Sequence, residues 1–578
     1  MSNAIEAGLE TAEGLYKSKD FAGAASAADA VLEGARLSVL SNCALLRGKA
    51  MLAPLLAQLD DPGQPQPFAS AFQEAWVMFQ LALRFVPENE EAQAEIEKVQ
   101  GILELLPEEE LPPPPANHPE PFDVVVVGAG ASGIGVALML TGVFGLDPKR
   151  VLLIERGEGV GETFRRWPKE MRFISPSFNS QGWTQSFDLN SVMHGTSPAF
   201  TLHAEHPTGE QYARYLEALA ETNELNVKTG TEVTAVRPFD ADGRAGFEVE
   251  VVPANGLGMP TVLRSRYVVW AAGEFQYPRA SAAPLFPGSE LCRHNSSVRS
   301  WTELEGDDFV VVGGYESGMD AASNLSLCGK RCTVVSSTAY WRVTTEDPSM
   351  ELAPYTAERL RVACATPTPP RLLAPLRVFA VEKEGAGYLV RARWGPPAEH
   401  AGGEFRASLD VASVPPGKEG SELTLRTPQP PLLCAGFEGS VKLGVAKDLF
   451  EWGDPAEDEG DDSDETDSDE GGVEGDKEGG EGEEGAKKEG GCAEGAPLLN
   501  EYDESTMTPG LFLVGPAVRH GDLSFCFVYK FRQRFGVVAD AISRGLGRET
   551  VAAVKASRDM NMFLDDFECC KAACGEAC

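Results

Sequence analysis

Apolar residues recur at three- and four-residue intervals from Ile5 to Leu106, with few β-branched residues among them. This spacing places them on one face of a helix, so it predicts an all-α domain over residues 1–106. Beyond residue 121 the pattern changes to short, continuous apolar runs, several of which lead into a glycine-rich turn and a helical segment. That alternation predicts an α/β fold built on a buried parallel sheet.

Within the helical region, small and aromatic residues from Phe72 to Pro87 stand where the second helix of a tetratricopeptide repeat has them. Residues 14–28 resemble another unit of this kind. Alanines let two helices approach closely, while Tyr or Phe fills the space between neighbouring pairs. The resemblance implies a surface that could recruit a protein partner. An ordinary helical bundle without a partner groove is the alternative, because two units are fewer than a stable solenoid usually needs.

Two segments have compositions that do not favour a packed core. Residues 107–121 include four consecutive prolines and predict a semi-rigid linker, because proline fixes φ and lacks an amide donor. Residues 454–504 predict an acidic, disordered insert, since positions 454–491 contain 18 acidic residues and 3 lysines, a net charge of 3 − 18 = −15. A further strand and helix are expected after the insert, so it interrupts the α/β part.

The net charge of −38 comes in large part from this insert. A chain of that sign is repelled by phosphate backbones, so we expect no nucleic-acid partner. No segment reaches the roughly 18 apolar residues that a membrane helix needs. The first residues also lack the basic and apolar regions of a signal peptide. We therefore expect a cytoplasmic protein without a membrane partner, whose twelve cysteines are mostly reduced.

Residues 122–140 join a buried strand, a G-x-G-x-x-G turn and a helix. The three glycines are Gly128, Gly130 and Gly133, and Ser132 lies in the same turn. Such glycines allow a tight turn, close approach to a pyrophosphate and close packing of helix on strand. Glu155 ends the next strand, 155 − 133 = 22 residues after the last glycine, where the acid that binds a ribose belongs. The segment therefore predicts a dinucleotide site.

The chain after Glu155 is similar to the flavin-containing monooxygenases and related two-domain flavoproteins. The similarity lies in the segment RGEGVGETFRRW at 156–167 and continues through 175–178, 206–216 and 267–278. It implies nested FAD- and NAD(P)H-binding Rossmann-like domains. It further implies that FAD is contacted by residues in the loop after the acid, in the crossover between the two domains and after the closing strand: Arg156, Gly161, Phe164, Trp167, Gly273 and Gly515.

Another family motif, F-x-G-x-x-x-H, is matched only in part. Phe286, Gly288 and His294 are present, but the motif's histidine position is Cys292. The departure weakens a monooxygenase assignment and leaves the fold assignment unchanged. Residues 431–437 resemble the hinge through which the chain returns to the first domain.

A second strand-turn-helix follows residue 309, where the family binds NADPH. Its turn contains Gly313, Gly314, Ser317 and Gly318, but Tyr315 occupies the place of the second glycine, where a side chain would intrude on the pyrophosphate. The next strand ends without an acid, at Ser336 and Ser337 with Arg331 and Arg342 nearby, which favours the 2′-phosphate of NADPH over NADH. A domain that keeps the fold without the nucleotide is the alternative.

These patterns predict a sequence of domains along the chain. A helical domain at 1–106 and a linker at 107–121 precede the first part of the FAD-binding domain at 122–300. The NAD(P)H-binding domain spans 301–430, and the FAD-binding domain returns at 431–453 and 505–555, around the insert. A helix over 531–542 should point its first amides at the flavin. A cysteine-rich tail spans 556–578.

The favoured function is that of an FAD-dependent oxidoreductase reduced by NADPH, a monooxygenase acting on a small organic or sulfur-containing substrate. No catalytic side chain or metal site is expected, because the chemistry belongs to the cofactors. One alternative is a thiol or disulfide reductase that uses Cys569, Cys570, Cys574 and Cys578, three of them spaced along one side of a helix. Another is a scaffold or redox sensor that recruits partners through its helical domain.

Overall fold

The computed structural model describes residues 41–42, 44–46, 48–53, 55–59, 72–105, 122–177, 187–241, 244–279, 283–342, 351–396, 415–453, 496–521 and 523–567. They form two compact units. One contains the described residues up to 121 together with 230–235 and 248–264, and the other contains the rest. The predicted linker, the four tail cysteines and residues 454–495 of the predicted insert lie outside the described residues.

The first unit contains two helices that pack against each other, α1 (Gln73–Phe85) and α2 (Glu90–Leu105). The side chain of Asn89 caps α2 by accepting a hydrogen bond from the Ala92 amide at 3.1 Å. The core between the helices combines alanines with aromatic residues, including Ala75, Phe79 and Ala82. The structure thus has helices in this segment, while the all-α domain over 1–106 and its tetratricopeptide character stay predictions.

A seven-stranded sheet, most of whose residues belong to the second unit, has the order β3-β2-β1-β6-β5-β4, with β19 also paired to β6. Its strands β1, β2, β3, β6 and β19 pair in parallel. Val124 to Val127 of β1 are buried, which explains the continuous apolar run. The strands are β1 (Phe122–Val127), β2 (Val151–Ile154), β3 (Asn226–Lys228), β4 (Thr231–Ala241), β5 (Arg244–Pro253), β6 (Thr261–Trp270) and β19 (Leu511–Leu513).

Helices connect the strands of this sheet. The helix after β1 is buried along its whole length, because small residues let it lie close to the strands. A capping box formed by Thr208 and Gln211 begins the longest of these helices. The helices between β1 and β3 are α3 (Ala131–Leu138), α4 (Glu162–Arg165), α5 (Pro198–Leu202) and α6 (Gly209–Thr222).

A second parallel sheet has five strands in the order β11-β10-β9-β15-β8. A three-stranded antiparallel sheet, β12-β13-β14, lies between β11 and β15 in sequence. The elements are β8 (Arg293–His294), β9 (Asp308–Val312), α7 (Glu316–Leu327), β10 (Arg331–Val335), α8 (Pro354–Cys364), β11 (Arg371–Leu373), β12 (Leu376–Glu384), β13 (Gly387–Trp394), β14 (Glu422–Thr427) and β15 (Leu432–Leu433).

Two-stranded ribbons and the last helices complete the described chain. The ribbons pair β7 (Tyr277–Pro278) with β16 (Phe437–Glu438), β17 (Trp452–Gly453) with β18 (Ala496–Pro497), and β20 (Arg519–His520) with β21 (Leu523–Ser524). The predicted single helix at 531–542 is instead broken. It consists of α9 (Val528–Phe531), a 3₁₀ turn at 532–534 and α10 (Phe535–Gly545), after which α11 (Val551–Asp559) ends the regular structure.

Two predicted boundaries differ from the structure. The sequence pattern predicts residues 293–300 in the FAD-binding domain, but β8 joins the second sheet, and Val298 is buried in the core of that sheet with Trp301. It predicts residues 496–504 in the insert, but residues 496–497 form β18, which pairs with β17, and Asp503 is fully buried. The sequence does not mark the first boundary, because β8 has only two residues. It does not mark the second, because only a two-residue strand and one buried acid end a long polar stretch.

Candidate functional site

The carboxyl ends of four strands meet at one edge of the first sheet. Val127 is in register with Ile154 and with Trp270, and Leu513 is also in register with Trp270. The residues that follow these strands therefore meet at that edge: Gly128, Glu155, Gly273 and Gly515. Ligands of open α/β sheets bind outside the carboxyl ends of the strands. The residues predicted from sequence are thus brought together at the expected edge.

The residues of the first glycine loop (128–133) have three distinct roles. Gly128 has φ +105°, a backbone conformation that L side chains rarely adopt. A Cβ at Gly133 would lie well under 3.0 Å from the Gly128 carbonyl oxygen, so this glycine allows the helix to approach the strand. A Cβ at Gly130 would meet nothing within 4 Å. Gly130 therefore borders open space at the N-terminus of α3, which fits a bound pyrophosphate.

Glu155 is held against this loop by backbone amides. Its carboxylate accepts hydrogen bonds from the amides of Ala129 at 3.0 Å and Gly157 at 2.6 Å. Two bonds leave further lone pairs on the carboxylate for the hydroxyls of a ribose. The next residue, Arg156, is exposed and donates a hydrogen bond to Gln276 at 3.3 Å.

The loop after the acid returns to the first glycine loop. Gly161 begins α4 with φ +72°, and its amide donates a hydrogen bond to the Ala129 carbonyl at 2.9 Å. Phe164 then packs edge-on to Trp167, with ring centroids 5.2 Å apart, and to Tyr212 at 4.8 Å. The predicted aromatic residues thus form a cluster that fixes the loop beside the glycine turn.

The closing strand brings Gly515 to the start of α3. Gly515 has φ +108°, and a Cβ there would lie 2.6 Å from the hydroxyl oxygen of Ser132, which is buried. Glycine is therefore required for this approach. The carbonyl of Pro516 accepts a hydrogen bond from Arg519 at 2.7 Å.

The second glycine loop (313–318) repeats the backbone of the first. Gly313 has φ +107°, and a Cβ at Gly318 would lie well under 3.0 Å from the Gly313 carbonyl oxygen. Tyr315 has φ −92° and ψ −162°, close to φ −86° and ψ −165° at Gly130. These angles accept any side chain, so tyrosine replaces the second glycine without backbone strain. The Tyr315 ring is 37% exposed and lies 4.9 Å from the ring of Tyr340.

The remaining residues of this loop are closely packed. A Cβ at Gly314 would lie 2.6 Å from the Ser336 hydroxyl oxygen, so glycine keeps the loop against the end of β10. Ser317 lies in the first turn of α7. Its neighbour Glu316 turns away from the loop and accepts hydrogen bonds from the Ala353 amide at 2.6 Å and from the Thr356 hydroxyl at 2.5 Å.

The predicted 2′-phosphate site is only partly supported. Ser336 follows β10 as Glu155 follows β2, but it is buried and donates a hydrogen bond to the Thr338 carbonyl at 2.6 Å. Arg331 begins β10 and pairs with Asp308 at 3.1 Å, at the opposite edge of the sheet. Sequence proximity was therefore misleading for Arg331, because a strand of five residues separates its ends by about 13 Å. Arg342 is exposed and follows the carboxyl end of β10.

The chain crosses between the two sheets twice, at a first hinge (271–276) and a second hinge (434–436). Gly273 has φ +78° and Gly436 has φ +82°. Directly after the hinges, β7 and β16 pair with each other, so the two crossings run side by side. The predicted hinge positions of Gly273 and Gly436 agree with this geometry.

Residues of the partly matched motif are divided between two places. His294 accepts or donates through Nδ1 to the Ser296 hydroxyl at 2.9 Å, and its Nε2 lies 3.0 Å from the Gly436 carbonyl oxygen at the second hinge. The Nε2 contact requires the proton on that nitrogen. Gly288 has φ +82° and packs against Val381 of β12. His294 therefore borders the hinges, whereas Gly288 serves packing.

Sequence reasoning missed two groups of polar residues. Glu274 lies in the first hinge, where burial raises the pKa of its carboxyl. A buried ionic cluster joins Asp503 to Arg534 at 2.8 Å and to His520 at 2.6 Å. A single glutamate after a glycine and three residues far apart in sequence form no motif, so nothing in the pattern identified them.

Five of the six described cysteines are poor nucleophiles. Burial raises the pKa of Cys292, Cys332 and Cys434 to about 12. It also raises the pKa of Cys328 and Cys364. Because the thiolate is the reactive form, these five thiols are not suited to disulfide exchange near neutral pH.

Comparison with known proteins shows which family this part of the chain resembles. Residues 125–395 match the family model described as pyridine nucleotide-disulphide oxidoreductase. The predicted α/β flavoprotein oxidoreductase fold is therefore confirmed, and the predicted cofactors FAD and NADPH agree with it. The match begins after the helical region, so it does not bear on the tetratricopeptide-like prediction.

Solved structures resemble about three-quarters of this chain. A bacillithiol disulfide reductase from Staphylococcus aureus is 15% identical over 73% of this chain and 98% of its own, with a TM-score of 0.48. An ornithine N-hydroxylase from Kutzneria sp. 744 is 13% identical over 74% and 100%, with a TM-score of 0.48. A flavin-containing monooxygenase from Stenotrophomonas maltophilia is 14% identical over 73% and 98%, with a TM-score of 0.42. These proteins are named for different reactions, so the likeness selects none.

Among the described residues, no helix has the length and apolar composition needed to cross a bilayer. The same residues contain no group of three or more His, Cys, Asp or Glu side chains arranged to hold a metal ion.

Proposed function

We propose that the chain is an FAD-dependent monooxygenase that NADPH reduces and that oxygenates a small organic or sulfur-containing substrate. The observation that carries the proposal is the pairing of β7 with β16 directly after the two hinges. It places the two crossings between the two sheets side by side. A flavin bound at the first glycine loop and a nicotinamide bound at the second glycine loop can then meet at the hinges. When bound, FAD accepts a hydride from NADPH and passes electrons to an acceptor.

In this proposal, residues around the first glycine loop hold FAD. The amides at the start of α3 bind its pyrophosphate beside Gly130, and Glu155 binds its ribose. Gly128, Gly133 and Gly515 give the backbone the close approaches that the site needs. Phe164 and Trp167 fix the loop that closes over the cofactor.

The second glycine loop holds NADPH in a similar way, with one difference. The Tyr315 ring lies where the first glycine loop has open space beside Gly130. The ring must therefore turn aside, or stack on the nucleotide, when the pyrophosphate binds. Arg342 follows the carboxyl end of β10 and supplies the positive charge for a 2′-phosphate. Electrons then reach dioxygen without a protein thiol.

The cysteine of the second hinge supports oxygen over a disulfide as the acceptor. Cys434, in the second hinge, is the described thiol nearest in sequence to Gly436, and burial raises its pKa to about 12. A reductase would need a reactive thiolate within reach of the flavin. The competing proposal, disulfide reduction through the tail, rests on the spacing of the tail cysteines and on the name of the matched family.

Truncation separates the two proposals. A cut after Asp559, the last residue of α11, would remove the four tail cysteines. It would also remove Met562, which is fully buried, and Leu564, whose amide donates a hydrogen bond to the Gln533 carbonyl at 2.9 Å. The cut is therefore best made after Phe567, so that the described fold stays intact while all four tail cysteines are lost. Full-length and truncated proteins should consume NADPH and dioxygen at the same rate. Loss of turnover with a small disulfide on truncation, without oxygenated product from the intact enzyme, would refute the proposal.

A further inference from the structure

Contacts away from the hinges also join the chain around the first sheet (the FAD side) to the chain around the second sheet (the NADPH side). The FAD side contributes the segment 168–173, which follows α4. The NADPH side contributes residues 299–302, among which Trp301 is fully buried in the core of the second sheet. The Lys169 amide donates a hydrogen bond to the Arg299 carbonyl at 2.9 Å, so the two segments touch through their backbones.

The carboxylate of Glu170 binds three successive residues of the NADPH side. It accepts hydrogen bonds from the Ser300 hydroxyl at 2.6 Å, from the Trp301 amide at 2.9 Å and from the Thr302 hydroxyl at 2.7 Å. Burial opposes ionisation of Glu170 most, but these bonds together lower the pKa of its carboxyl to about 2. The carboxylate is therefore ionised near neutral pH, and its hydrogen bonds are of the stronger, charge-assisted kind.

An aromatic contact joins the same two sides. His206 of the FAD side stacks on Tyr355 of α8, with ring centroids 3.7 Å apart and planes 9° from parallel. The His206 ring is held by its own side, because Nδ1 donates a hydrogen bond to the Phe173 carbonyl at 2.8 Å. Phe173 also packs on Phe164 at 5.5 Å, in the aromatic cluster beside the first glycine loop. Both contacts therefore start from the segment that fixes this loop.

On the NADPH side, both contacts lead to α7, the helix that begins at the second glycine loop. Trp301 donates a hydrogen bond from Nε1 to the carboxylate of Asp320, a buried residue of α7, at 2.9 Å. Arg359 pairs with Asp320 at 2.6 Å, and its guanidinium lies 5.5 Å from the centre of the Tyr355 ring. The two contacts thus connect the surroundings of one glycine loop to the helix of the other.

We propose that Glu170 and His206 are positioning residues, which hold the second glycine loop in the orientation needed for flavin reduction. The inference rests on the proposed function and adds to it a fixed orientation of the two sides. Domains joined by a few hinge residues commonly rotate about them, and contacts away from the hinges oppose such rotation. Hydride transfer needs reacting atoms about 3–3.5 Å apart, and a misplacement of about 1 Å can cost about 100-fold in rate.

The test uses the holoenzyme in anaerobic rapid mixing with NADPH. Tyr355→Ala removes the ring on which His206 stacks, whereas Tyr355→Phe keeps a ring there. At saturating NADPH, Tyr355→Ala and Glu170→Ala should each reduce their flavin at least about tenfold more slowly than wild type, while Tyr355→Phe stays within about twofold. FAD content and the NADPH concentration that gives half the maximal rate should be unchanged, because neither glycine loop is altered.

A matched control removes an ion pair from the same helix. Arg361→Ala breaks the pair with Glu358, which is exposed and lies within α8, so this variant should reduce its flavin at the wild-type rate. A second readout is the long-wavelength absorbance that arises when a nicotinamide stacks on oxidised flavin. It should form on mixing with wild type, Arg361→Ala and Tyr355→Phe, and be weaker with Tyr355→Ala. Lower stability of a folded variant would not change this absorbance.

The outcomes separate this inference from the proposed function. A wild-type flavin that NADPH does not reduce would overturn both. Wild-type reduction rates in Tyr355→Ala and Glu170→Ala would overturn the inference alone. Faster reduction in these variants would do the same, because the contacts would then hold a resting orientation. If the alanine variants do not fold, Glu170→Gln decides, since it keeps the size of the side chain and loses its charge. An unchanged rate in that variant would overturn the inference.

Discussion

Replacement of Gly130 by valine should abolish FAD binding without unfolding the protein. Gly130 has φ −86°, which a side chain accepts, and a Cβ there meets nothing within 4 Å. The free energy of unfolding of the apoprotein should therefore change by no more than about 0.5 kcal/mol, as for open surface positions. The valine side chain instead occupies the space that the pyrophosphate needs.

The size of the loss follows from the amides at the start of α3. The first intrahelical bond runs from the Ile134 amide to the Gly130 carbonyl at 3.0 Å, so the helix itself leaves the amides of residues 131–133 free. A hydrogen bond to a charged group contributes about 1.5–3 kcal/mol. Loss of two such bonds, about 3 kcal/mol or more, weakens binding at least roughly 100-fold.

The assay compares three variants by FAD content and by chemical unfolding of the apoproteins. Gly142→Val is the matched control, because a Cβ at that position also meets nothing within 4 Å but lies away from the turn. It should retain FAD. Gly133→Ala should instead destabilise the fold by about 1–3 kcal/mol, because its Cβ would overlap the Gly128 carbonyl. A folded Gly130→Val protein that retains one FAD per chain would refute the assignment of the glycine loop.

Three further predictions concern the nucleotide site at the second glycine loop and the buried ionic cluster of Asp503, Arg534 and His520. Arg342→Ala should lower the preference for NADPH over NADH about tenfold in rapid-mixing reduction, while Arg331→Ala, at the opposite sheet edge, leaves it unchanged; equal ratios in both variants would exclude Arg342. Tyr315→Gly should speed flavin reduction at low NADPH, and a rate unchanged from wild type would show that the ring does not restrict binding. Asp503→Ala should lower the free energy of unfolding by about 3–5 kcal/mol, because it leaves Arg534 buried without its carboxylate; a loss below about 1 kcal/mol would contradict this.

Much of the fold and of the first cofactor site could be predicted because local pattern and global structure agree there. Buried parallel strands are continuous apolar runs, and Gly128, Gly133 and Glu155 act through the backbone directly around them. The position of Tyr315 in the second loop could be predicted for the same reason. The residues of such a motif are close together in the sequence, so one sequence is enough to identify the motif.

Features that depend on distant residues could not be predicted. Glu274 meets Gly439, and Asp503 meets Arg534, through contacts that no local spacing encodes. Arg331 shows the converse, since closeness in sequence placed it beside Ser336 although a strand separates them. The end of the acidic insert was misplaced because residues 496–504 are held by pairing with β17 and by one buried acid.

Absorbance spectra of the purified protein, recorded under anaerobic conditions before and after addition of NADPH, test the central claim most directly. The account predicts a yellow protein with one FAD per chain, whose flavin absorbance bleaches with NADPH and returns on admission of dioxygen. A colourless protein that takes up no FAD would contradict the first cofactor site. A flavin that stays oxidised after addition of NADPH would contradict the proposed role of NADPH as the reductant.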